Sequence, residues 1–315
     1  TVNWGVVSRH SARWSFCGSM VSTCCSGERS FIGGTMRDST LVTLAHGVHV
    51  LQREPGVLQF GMDATRCGIV ETRYADDLRP LLAGLSTPSR IREVRTMLMG
   101  VDGFTERAAR SLIDDLLAYR ILTPTTTTPV AMLGASPLAK TLRSLLENSG
   151  VAVRAPMGEE SDGAFLHRLS DDVPLVVVDR IARHIAVDRK LGKHRTWNIP
   201  IATVDARVVV GPVSQGGSGP CLVCAEFYLL DRDPALHTAA TALPDGPPSP
   251  DPVVLSAGAS AAAALIRNAA GVPMPPGVSA GTLQHGTTVA VDPFGPAPVL
   301  SLIHISEPTR RYAIS

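Results

Sequence analysis

The chain has 315 residues, 44% of them hydrophobic and 18% charged, with a formal net charge of +1. That length allows two domains, and so balanced a charge gives no electrostatic reason to expect a nucleic acid or an anionic membrane as partner. The longest small-apolar run, Ala257 to Ile266, falls well short of the roughly 20 residues that span a bilayer, and no basic segment followed by an apolar run marks a signal peptide. The six cysteines form no disulfide framework, so a reducing, cytoplasmic setting is expected.

Residues 1–40 are expected to be a disordered or non-native leader. Thr1 to Thr35 matches neither helical nor strand periodicity, and Met36 is the candidate initiator. At the other end, residues 300–315 resemble a translated sequencing-adapter tail, so the natural chain is expected to continue past Val299.

Residues 41–126 read as a small winged helix-turn-helix module. Two strands, Val48 to Arg53 and Val57 to Asp63, flank the turn Glu54-Pro55-Gly56, and a third runs from Cys67 to Glu71. Three helices follow. The first, Tyr74 to Leu85, carries Leu78, Leu81, Leu82 and Leu85 on one face; the second starts at Pro88 behind Thr87; the third is capped by Thr105 and turns Leu112 and Leu116 inward. DNA binding is the familiar use of such a module. Here, however, the third helix mixes Arg107 and Arg110 with Asp114 and Asp115, whereas a helix facing phosphates should be more uniformly basic. Thr123 to Pro129, with two prolines among β-branched residues, is expected to be an extended linker.

Residues 127–299 read as an α/β domain. The strand Val130 to Leu133, the turn Gly134 to Ala139, the helix Leu138 to Asn148 and the strand from Val151 make a βαβ unit. A nucleotide-binding turn needs Gly-x-Gly-x-x-Gly, so that backbone can approach phosphate. Only Gly134 survives, with Ser136 and Ala139 at the other two positions. Val173 to Asp179 is a strand apolar on both faces, and Asp179 ends it where such sheets place ligands or where a helix is capped. Trp197 to Val204 and Arg207 to Gly211 are two further strands. The second leads through a glycine-rich turn into Gly-Pro-Cys221-Leu-Val-Cys224 and a helix.

The helical module is similar to the PqqD-like peptide-recognition modules of ribosomal-peptide modification systems. That resemblance implies a precursor's leader peptide added as a strand and leaning on the third helix. The peptide would contact Cys67, Ile69 and Glu71 on the third strand and Arg107, Arg110 and Asp114 on the helix. Over about residues 45–299, the winged module, the Gly134 turn and the strand leading to Gly-Pro-Cys-x-x-Cys resemble the ThiF-like cyclodehydratase-partner proteins of thiazole/oxazole-modified microcin biosynthesis.

The resemblance implies a degenerate ThiF-like, doubly wound Rossmann-type domain without independent catalysis. It would bind a precursor leader and present it to a YcaO-type cyclodehydratase for azoline formation, with no ATP bound by this chain and a homodimer left open. It also implies a structural zinc on Cys221 and Cys224, completed by a second cysteine pair near the C-terminus, past a strand pair like Ala280–Leu283 and Thr288–Val291. His237 and His285 are alternative ligands. A redox Cys-x-x-Cys fits less well, because Gly219-Pro220 precedes it where an aromatic is usual. An adenylating enzyme that activates a carboxyl terminus is the alternative function.

Overall fold

The computed structural model describes residues 13–15, 36–125, 128–180, 197–220, 222–243, 245–278, 284–295 and 301–302. The chain divides into two compact units, 1–126 with 273–279, and 127–272 with 280–315.

In the first unit β1 (Arg13–Ser15) and β2 (Leu41–Leu44) precede a hairpin of β3 (Val50–Glu54) and β4 (Val57–Phe60). The one-turn helix α1 (Ala64–Cys67), β5 (Ile69–Glu71), α2 (Ala75–Ala83), β6 (Ser89–Arg90), α3 (Ile91–Met99), α4 (Glu106–Ala118) and β7 (Leu122–Pro124) follow. Two antiparallel sheets result, in the orders β1-β5-β4-β3 and β6-β2-β7. Alternate strand residues Leu58, Phe60 and Val70 join Leu78, Leu82, Leu98, Leu112 and Leu116 of the helices in one core. Leu112 and Leu116 are therefore packing residues.

Three expectations need correction here. Cys67 is not in a strand: its N–H donates to the Asp63 carbonyl at 3.2 Å, closing a helical turn, and the ladder begins only at Ile69. Pro88 does not start a helix. Ser89 and Arg90 pair with Val42 and Leu41 instead, and the helix begins at Ile91, where the Glu93 carboxylate accepts the Arg90 N–H at 3.0 Å. Both ends of the threonine-rich linker are laddered strands rather than free connector, Leu122–Pro124 on β2 and Thr128 onward on β9, and residues 126 and 127 lie outside the described residues. Thr105 caps α4 as expected, accepting the Ala108 N–H at 3.3 Å. Residues 273–279 also return to this unit, where Arg120 donates to the Val278 carbonyl at 3.2 Å.

In the second unit the order is β8 (Thr128–Leu133), α5 (Pro137–Asn148), β9 (Val151–Arg154), α6 (Asp162–His167), β10 (Leu175–Val178), β11 (Asn198–Val204) and β12 (Arg207–Val210). Then come α7 (Leu222–Arg232), α8 (Leu236–Ala242), α9 (Pro252–Ala269), β13 (Val289–Val291) and β14 (Ser301–Leu302). The sheet order is β14-β13-β12-β11-β10-β8-β9. Strands β9, β8, β10 and β11 run parallel, and β12 to β14 continue the sheet antiparallel. Val130, Met132, Val176 and Val178 bury one face with α5 and α9, while Ala131, Leu133, Leu175 and Val177 bury the other with α6 and Leu222. Helices on both faces explain why these strands read as unbroken apolar runs. Residues 280–283, expected as a strand, lie outside the described residues.

Helix α9 starts at Asp251, whose carboxylate accepts the Val253 N–H at 2.8 Å and the Val254 N–H at 3.2 Å, with Pro252 in the first turn. Asp251→Ala orphans both donors and is expected to cost about 1 kcal/mol, read as a lower denaturant midpoint at constant slope. No helix among the described residues is long and apolar enough to cross a membrane.

Candidate functional site

Two places in the fold offer chemistry beyond packing. One is the side of β5 that faces away from β4, where the short strand β1 pairs. Between β4 and β5, Thr72 donates to the Gly56 carbonyl at 2.8 Å and Phe60 donates to the Gly68 carbonyl at 3.1 Å. Backbone direction alternates along a strand, so Gly68, Val70 and Thr72 address β4, while the N–H and C=O of Ile69 and Glu71 point away from it. Val70 lies in the core, Ile69 is half-buried and Glu71 is exposed. The outward backbone groups of Ile69 and Glu71 are thus placed to ladder with an extended strand, as β1 does in this structure.

The opposite edge, β3, is less suited to that role. Its register is irregular between Gln52 and Glu54, and Gln52 donates to Asp76 at the start of α2, a helix that packs on this strand. Bulges and covering helices blunt sheet edges.

Of the residues expected to touch a peptide, the structure sets Ile69 and Glu71 together on that edge. Cys67 precedes it in the α1 turn, half-buried, with its thiol pushed up first by burial and then by the neighbouring Asp63 charge. A thiol so placed is held neutral and is a packing group rather than a nucleophile. Arg107, Arg110 and Asp114 are exposed along one face of α4, three and four residues apart. Arg110 is engaged by Glu106 at 2.6 Å, which removes much of the cationic character of that face. No hydrogen bond or ion pair among the described residues joins the β5 set to the α4 set; what they share is the core that Val70, Leu112 and Leu116 build.

The other place is the crevice beyond the carboxyl ends of β8 and β10, where the strand order reverses and doubly wound sheets bind ligands. Gly134 leaves β8 at φ +131°, and a Cβ there would lie 2.5 Å from the Val178 carbonyl oxygen. Strand packing alone thus demands glycine at this position. Ser136 caps α5, accepting the Ala139 N–H at 3.1 Å, and its hydroxyl also hydrogen-bonds Asp179.

Asp179, buried and at φ +52°, accepts the Thr203 N–H at 2.6 Å and the Thr203 hydroxyl at 3.3 Å. Its carboxyl titrates above its ordinary range because burial outweighs these hydrogen bonds. Gly246 closes over it so tightly that a Cβ on that glycine would lie 2.5 Å from the Asp179 Cβ. The helix N-terminus that could receive a phosphate instead faces an internal carboxylate. Sequence reading noted Asp179 at the strand end but had no means of finding Thr203 or Gly246, which the fold brings from 24 and 67 residues away.

Of the expected zinc pair, Cys221 lies outside the described residues and Cys224 is exposed on α7. Among the described residues no three His, Cys, Asp or Glu side chains gather closely enough to hold a metal. Exposed His285 packs its Cβ near Gly219, just before the cysteine pair, and the side chain of His237 lies outside the described residues.

No family model and no curated protein matches this sequence. Solved structures do resemble it. The heterocyclase TruD aligns with a TM-score of 0.50 at 16% identity, over 84% of this chain and 41% of its own. A heterocyclase in complex with substrate and cofactor aligns with a TM-score of 0.49 at 17% identity, over 84% of this chain and 38% of that one. MccB of E. coli gives 0.38 at 12% identity, over 84% of this chain and 93% of that one. The chain thus spans about two fifths of the heterocyclase chains. At these identities the likeness to TruD establishes a shared fold, in agreement with the expected α/β architecture.

Proposed function

We propose that the first unit is a winged peptide-recognition module that takes the leader of a ribosomally made precursor as an added strand on β5. The chain then presents that precursor to a YcaO-type cyclodehydratase for azoline formation. The observation carrying this reading is the side of β5 facing away from β4, where the backbone groups of Ile69 and Glu71 are directed outward and pair with the short strand β1, in a chain that shares the fold of a heterocyclase. Main-chain bonds to such an edge supply affinity, and half-buried Ile69 with exposed Glu71 offers an alternating surface for selectivity. The mixed and partly paired charge of α4 favours a peptide over a phosphate backbone. In the second unit, Asp179 and Gly246 fill the switch-point crevice, which favours a scaffold over an adenylating enzyme. Zinc on Cys221 and Cys224 remains part of the proposal for a longer chain carrying the second cysteine pair.

The test is a titration of the full chain with labelled leader peptides from precursors of azoline-containing products, repeated on Ile69→Pro. Proline removes an outward N–H that β4 does not use. At least about a tenfold loss of affinity is expected, the equivalent of one hydrogen bond of roughly 1.4 kcal/mol. Equal affinity of the two chains, or tight ATP binding by this chain alone in calorimetry, counts against the reading.

A further inference from the structure

The edge that the proposed function assigns to a foreign peptide already carries a strand of this chain. β1 pairs antiparallel with β5, placing Arg13 opposite Glu71, Trp14 opposite Val70 and Ser15 opposite Ile69. The register is chemically consistent. Ile69 and Glu71 are the residues whose backbone groups face away from β4, so Arg13 and Ser15 fall in the hydrogen-bonded positions and Trp14 in the non-bonded one. The partner of β5 is thus recruited from more than 50 residues upstream in the same chain. Among the residues whose side chains are described, the buried core of this unit runs from Val42 to Leu122. The contact described for β1 is its backbone ladder on β5, which is the interaction an incoming strand would offer instead.

We infer that residues 13–15 act as a built-in occupant of the peptide-binding edge, so that an extended peptide binds β5 by displacing them. The functional meaning of this gate rests on the peptide-binding reading above; the strand exchange itself does not. A tethered segment competes at an effective concentration on the order of millimolar. A peptide of micromolar intrinsic affinity is therefore weakened by a large factor while β1 is paired, and only a strand with better side-chain contacts displaces it. The gate would let this surface reject arbitrary extended chains, a standing hazard for any open sheet edge.

The ladder parity supplies the experiment. In the full chain, Arg13→Pro with Ser15→Pro deletes the two N–H groups that address β5, whereas Trp14→Pro deletes one that does not. Amide hydrogen exchange read by NMR should show the Ile69 and Glu71 amides exchanging at least about tenfold faster in the double variant. The Val70 amide, which faces β4, should hold its rate, and Trp14→Pro should have the smaller effect. A synthetic peptide of residues 9–20, with Ser in place of Cys17, should restore protection at Ile69 and Glu71 when added to the double variant. Unchanged exchange in the double variant overturns the built-in strand; no recovery with the peptide overturns its exchangeability. If exchange behaves as expected yet leader peptides fail to bind the double variant, the strand stands and the peptide-recognition function falls.

Discussion

Asp179→Ala is expected to destabilise the second unit by about 3 kcal/mol, whereas Asp179→Asn should be nearly neutral and should change the pH dependence. Alanine removes the acceptor of the Thr203 N–H, leaving a buried donor unpaired at a cost of about 1–3 kcal/mol. It also places a residue poorly suited to the left-handed region at φ +52°, costing about 1 kcal/mol more. Asparagine tolerates that conformation, keeps a carbonyl oxygen for the Thr203 N–H, and carries no charge to desolvate.

The sign of the pH effect follows from the raised carboxyl. Burial lifts the folded-state value above the ordinary 3.8, so the folded protein binds the proton more tightly than the unfolded chain does. Stability from this group is complete below about 3.8 and declines as pH rises through the raised folded value. Denaturant unfolding at a series of pH values should show Asp179→Asn gaining on the native sequence as pH rises from acid to neutral. A difference between the two chains that stays constant across that range would show that Asp179 is not held against its ionisation.

Gly258→Ala should be destabilising although it adds a single methyl group. Intrinsic propensity points the other way, since alanine in a helix interior is worth about 1 kcal/mol over glycine. The packing decides against it. A Cβ on Gly258, buried on α9, would lie 2.3 Å from Val208 Cγ2 and 2.5 Å from Val208 Cβ on β12. A rotamer change moves the first atom but not the second, so helix and sheet must separate. Overpacking of this kind costs typically 1–3 kcal/mol, and a net loss of about 2 kcal/mol is expected after the propensity gain. Val208→Ala relieves the Cγ2 clash, so the double variant should be less destabilised than the sum of the two single changes. A Gly258→Ala chain that unfolds at or above the native midpoint would refute the close approach.

Much of the architecture was readable because its signals are local. The βαβ unit announced itself through four-residue apolar strands, Ser136 and Pro137 at a helix start, and Gly150 behind Asn148; each acts within a few residues. The Glu54-Pro55-Gly56 hairpin and the Thr105 cap were legible for the same reason. Misreadings occurred where a distant partner outvoted the local pattern. Pro88 is a sound helix starter, yet Ser89 and Arg90 were captured by β2 from more than 40 residues away. Cys67 sits in a strand-like run, but Asp63 closes a turn on its N–H.

The candidate site divides in the same way. Ile69 and Glu71 could be named from the sequence as residues of a third strand, but which strands flank it, β4 on one side and β1 on the other, depends on the fold. The absent glycines after Gly134 showed that the nucleotide turn was degraded. That an aspartate would occupy the space could be known only once β10, β11 and the segment around Gly246 were brought together. Sequence by itself thus determined most of the helices and strands and their buried faces, all consequences of periodicity and turn chemistry. Tertiary structure alone decided strand neighbours, the strand of this chain laid on β5, and the carboxylate in the crevice. These depend on hydrogen bonds and close contacts between residues far apart in the chain, which no local pattern encodes.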